Sequence, residues 1–144
     1  MDLHTTEILD RIVALLQAAV PTGTVSRQYV EIDQLSQSKG DFPRVSVLWG
    51  GGDQGHQLGR ASMDEQLEAV LVLYVHDTAD EESALMALFK AVLSALAPAL
   101  VVTVGGVPVE HGVDLSGPYT TSRQSVRPFG WLVKRIHIHQ RFTV

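Results

Sequence analysis

Residues 45–60 read VSVLWGGGDQGHQLGR, an apolar run followed by a cluster of glycines. Gly50, Gly52 and Gly55 satisfy the spacing G-x-G-x-x-G behind what reads as a strand. In a dinucleotide-binding unit the third glycine opens a helix whose free N–H groups hold a pyrophosphate. Here HQLGRASMDEQ follows Gly55, and Gly59 breaks any helix. The next periodic segment, QLEAVLVLYVH (66–76), alternates at period 2. Its last seven residues, 70–76, lack the acidic residue that would hold a ribose. No G-K-[ST] is present, so the P-loop pattern fails too. The glycines read as a polar connection between strands, running to about Met63, and a doubly wound fold is set aside.

Outward from this stretch, the pattern alternates between the two periods. Residues 5–20 place Ile8, Leu9, Ile12, Val13 and Leu16 on one helical stripe, with Thr5 or Thr6 as cap and Pro21 and Gly23 as stop signals. Residues 25–33 suit a strand, and a polar loop follows. Residues 43–49 are a second strand, with Val45, Val47 and Trp49 on one face. The run at 66–76 is apolar on both sides late in its course, which predicts a central strand covered on both faces. Thr78 and Glu81 form a T-x-x-E capping box before a helix over 78–97. Two short apolar runs, 100–104 and 107–113, flank Gly105-Gly106 as a hairpin. Residues 114–128 are polar and turn-rich. The chain closes on a strand from about Trp131 to Thr143 that could leave a free edge. The expected fold is one α+β domain over 1–144, ordered α-β-β-β-α-β-β. It is a mostly antiparallel sheet of about five strands with two helices on one face.

Composition narrows the function. The 144 residues include no cysteine, which excludes disulfides, thiolate nucleophiles and thiolate metal sites. The formal charge of −5 opposes nonspecific grip on nucleic acid. The acidic start MDLHTTEILDR is not a signal peptide, and no apolar run reaches the ~20 residues that cross a bilayer.

His137 and His139 share a strand face at i, i+2, flanked by Arg135 and Arg141. Two such histidines can share a metal, with a third ligand from His76, Asp77, Glu110 or His111. The arginines would repel a cation, however, and no metal or other cofactor is expected. A polar strand face over Ile136 and Ile138 is the plain reading. A basic stripe meeting an acidic partner is the third. No G-x-S-x-G elbow is present, and the carboxylates at 80–82 suit a helix start, so no catalytic group is expected. The long glycine segment carries Asp53, His56 and Arg60 with little to bury, and could order against a neighbour.

The strand LEAVLVLYVHD running into DEESALMALFKAVLSALAP, and the closing RPFGWLVKRIHIHQRFTV, resemble the tail terminators of long-tailed bacteriophages, the minor tail protein U type. The likeness covers nearly the whole chain. It implies a structural protein of the virion tail, assembled in the host cytoplasm. Such proteins form rings, usually hexameric, that cap the tail tube and stop its polymerisation. They present a surface to the head-completion protein. DNA passes through without specific binding, and no membrane is involved. Asp53, His56, Arg60, Arg135, His137, His139 and Arg141 would then be interface residues. The alternatives are another small oligomeric neck, tail or ligand-binding module, or a metal-dependent enzyme built on His137 and His139.

Overall fold

Two helical stripes and one two-sided apolar strand organise the molecule. The computed structural model describes residues 5–29, 42–57, 62–76, 80–98, 100–104, 106–121 and 129–143. For residues 53–57, 62–64, 104, 129 and 141–143 only the backbone is described. The order is α1 (Thr5–Ala19), β1 (Thr24–Ser26), β2 (Arg44–Gln57), β3 (Ser62–His76), α2 (Glu81–Leu96), β4 (Leu100–Val104), β5 (Val107–Asp114), β6 (Tyr119–Thr121) and β7 (Phe129–Thr143). This is the expected α+β class, with seven strands among the described residues in place of about five. The sheet runs β1-β2-β3-β7-β5-β4, with β6 also beside β7. Among the described strands, only β1 and β2 pair in parallel.

Both helices lie on one face. Ile8, Leu9, Ile12 and Leu16 of α1 and Leu85, Leu88, Val92 and Leu96 of α2 are buried in one core. That core includes Val45, Val47, Leu67, Leu71, Leu132 and Ile136 of the sheet. The inner face thus collects the odd positions of β3 and the even positions of β7, as a period of two requires. The other face has its own cluster: Phe42, Val72 and Tyr74 are buried, with Leu48, Val70, Trp131 and Val133 packed around them. β3 is therefore interior and apolar on both sides, as its sequence predicted. Gln17 clamps the end of α1 to the first strand. Its amide donates to the carbonyls of Val20 and Gly23, and its oxygen accepts from Val25 N–H.

Several expectations are corrected. Residues 50–57 and 62–63 of the glycine segment are strand and not loop, and residues 58–61 lie outside the described residues. β2 continues to Gln57 and pairs with β3 as far as Gln57↔Met63, through bulges at Trp49/Gly51 and Asp53/His56. Gly51, at φ +101°, provides the backbone turn of the first bulge. β7 supports the same arm along its full length, out to Ser62↔Thr143. The partner of 51–57 is the near end of β3, 6 to 17 positions on (Gln57↔Met63, Gly51↔Glu68), but a polar, glycine-rich run has no strand propensity of its own to reveal the pairing.

The first strand is only three residues long, Thr24–Ser26, and residues 30–33 of the expected strand lie outside the described residues. The helix expected from 78 begins at Glu81, capped by Asp80, whose carboxylate accepts from Ser83 N–H at 3.0 Å. Asp80 takes the capping role assigned to Thr78, which lies outside the described residues. The last strand is not an edge: β7 lies between β3 on one side and β5 and β6 on the other.

Candidate interaction surface

The outer face of the β2-β3-β7 arm carries Arg135, His137 and His139, and the strand register brings the backbone of Asp53, His56 and Arg141 to the same arm. Cross-strand register places them in neighbouring rows. Asp114, His137 and Glu68 form one row. Gly112, His139 and Gln66 form the next on that face, with the backbone of Asp53 in register with Gln66. Arg141, Asp64 and His56 form a third. Arg135 sits one step toward the apolar cluster and pairs with Glu68 at 3.1 Å. Arg60 lies outside the described residues. Residues more than 80 positions apart in sequence thus come together on one arm.

The basic stripe is not bare. Glu68 and Asp114 flank His137 in its own row, and Glu68 already holds the Arg135 guanidinium. The stripe is a mixed-charge ladder, which favours register-specific contact over general attraction to an acidic surface. Gln66, Gly112, Asp114, His137 and His139 line a shallow hollow of about 250 Å³. Among the described residues no three metal-binding side chains gather. His111 is on the inner side of β5, buried, with Nδ1 3.3 Å from the carbonyl oxygen of His139. His76 is eight positions along β3 from Glu68, roughly 26 Å away at strand rise. Asp77 lies outside the described residues.

Asp114 also closes the turn that follows β5. Its carboxylate accepts from Ser116 N–H at 2.9 Å. Hydrogen bonds from the Ser116 hydroxyl and backbone, helped by the nearby His137 and Lys134 charges, hold its pKa below the ordinary carboxylate value. A lowered folded-state pKa adds stability above the unfolded value, and that stability is lost as pH falls through the folded one. Thermal melts of wild type and Asp114→Asn should therefore differ slightly at neutral pH. The gap should shrink as pH falls below about 4 and vanish only once pH has passed the lowered folded-state value. A gap that stays constant from neutral pH to below both values would remove the charge from this account.

Sequence patterning missed the exposed apolar residues. Trp49 shares the inner face with Val45 and Val47 yet is 62% exposed. Val101, Val107, Val109 and Tyr119 are exposed as well. The uncharged run LVVTV at 100–104 was the available signal for an unprotected strand. A separate groove of about 480 Å³ lies between the end of α1 and α2, with Val20, Phe42, Pro43, Val75 and Leu88 in its wall.

No protein-family model matches the chain, and no curated protein matches it. Among solved structures, a chain from the "Virion of native gene transfer agent (GTA) particle" matches with a TM-score of 0.51 and 14% identity. The match covers 98% of this chain and 95% of that one, so the likeness is one of fold along nearly the full length of both.

Proposed function

We propose that this chain is a structural subunit of a phage-like particle and acts as its tail terminator. Copies of it, usually six in such proteins, form a ring on the end of the tail tube. The ring stops tube polymerisation and offers its other side to the head-completion protein. The observation that carries the reading is the fold likeness to a virion chain over nearly the whole of both molecules. The sequence resemblance of the β3–α2 unit and of β7 points the same way. The role is one of shape and contact and uses no catalytic group. The mixed-charge arm and the exposed Trp49 provide contact surface toward neighbours. The formal charge of −5 suits DNA that passes without being held.

Deleting the gene in a particle-producing strain tests the reading. Overlong tubes or separated heads and tails, restored by the gene supplied in trans, are the expected result. Normal particles in normal yield would overturn it.

A further inference from the structure

The two ends of the sheet differ in chemistry. At one end β1 covers Arg44, Val45 and Ser46 of β2, and two bulges interrupt the rest of that edge. Bulges are a standard means of making an edge strand a poor template. At the other end β4 has no such defence. Its five residues, LVVTV, include no charge and no proline, and pair with β5 in unbroken register. Among the described residues nothing pairs with its outer side.

Pro108 fixes which backbone groups face outward. It stands opposite Thr103. Proline has no N–H, so this pair cannot exchange the two hydrogen bonds of a bonded antiparallel pair. Bonded and non-bonded pairs alternate. Leu100, Val102 and Val104 therefore bond to β5, while Val101 and Thr103 aim their N–H and C=O groups away from it. Val101 is also 43% exposed. Together with Val102 and Thr103 it borders a groove of about 510 Å³, whose far wall is Glu7, Asp10 and Arg11 of α1. A strand edge beside a helix, with a groove between them, is the geometry of strand addition.

We propose that this groove receives β4 of a second copy, antiparallel, about a twofold axis through Val102. The edge is self-complementary in that arrangement. Val101 of each copy faces Thr103 of the other, and their outward groups make four backbone hydrogen bonds. The α1 wall carries both signs of charge, so Arg11 of one copy meets Glu7 of the other. Asp10 is already engaged with Arg27 at 3.5 Å. An isologous contact of this kind is separate from the head-to-tail contact that closes a ring. It joins two free subunits, or two rings back to back, and stands whether or not the chain is a terminator.

The absence of cysteine makes single-cysteine variants clean reporters. Opposed residues of a bonded antiparallel pair lie about 5.5 Å apart at Cα, within disulfide reach. Val101→Cys and Thr103→Cys, mixed and oxidised, should give a disulfide-linked dimer that neither variant gives alone. Thr103→Pro removes an outward N–H and no β4–β5 hydrogen bond. It should weaken dimerisation about tenfold in sedimentation, with circular dichroism and melting near wild type. Val101→Lys, a charge on the same edge, should act likewise. No excess cross-linking in the mixture, or wild-type dimerisation by Thr103→Pro, would overturn the proposal. Cross-linking of Val101→Cys to Trp49→Cys instead would assign head-to-tail pairing and also overturn it.

Discussion

Lys134→Ala should destabilise the protein by about 2–4 kcal/mol, the range set by large-to-small core changes and by hydrogen bonds to charged groups. Lys134 is among the largest fully buried side chains, at 2% exposure on the inner face between Leu132 and Ile136. Its ammonium donates to the carbonyls of Ser116 and Gly117, each at 2.9 Å. The side chain therefore ties the turn before β6 to the middle of β7, where Tyr119 stands opposite Lys134. Alanine leaves a cavity and two carbonyls without their donor. Relief from burying an ammonium offsets part of the loss. Urea unfolding measures this as a lower midpoint at constant slope. Lys134→Met keeps most of the volume and separates the cavity from the hydrogen bonds, so it should cost less. An alanine variant with the wild-type midpoint would show that the anchor contributes nothing.

Leu71→Ala should cost about 3–5 kcal/mol. Leu71 is completely buried in β3, opposite Val47 on one side and Lys134 on the other. It lies in the core shared by both helices and the sheet. The strands on both sides are locked by long ladders, so the site can collapse little around the lost atoms. Such a loss is a large part of the roughly 5–15 kcal/mol that a domain this size has. Thermal or urea unfolding reads it directly, and a loss under about 1 kcal/mol would mean that this layer is loosely packed.

The elements legible in the sequence were those whose burial repeats locally. The stripes of α1 and α2 and the apolar run of β3 each carry their own period. The 100–113 hairpin was legible from its glycines. What stayed hidden depends on neighbouring strands and not on a period carried by the segment itself. Residues 51–57 are strand because β3 pairs with them and β7 backs β3, and neither fact is written in GGDQGHQ. Alternation in KRIHIHQRF correctly assigns Lys134 and Gln140 to the side of Ile136 and Ile138, but not what reaches them. The first meets the Ser116–Gly117 turn, and the second donates to Glu65 at 3.1 Å. The stripe 135–141 was visible as a row of cations. The carboxylates that share its rows, Glu68 and Asp114, come from other strands and appear only with the register.

The central claim, a subunit that closes into a ring on a tail tube, is tested most directly by the mass of the purified chain. Light scattering should be run on it alone and after adding the tube protein of the same particle. The account predicts a discrete species near six times 15.7 kDa, or its doubled form, in at least the second condition. A 15.7 kDa monomer or an open-ended polymer in both conditions would contradict it.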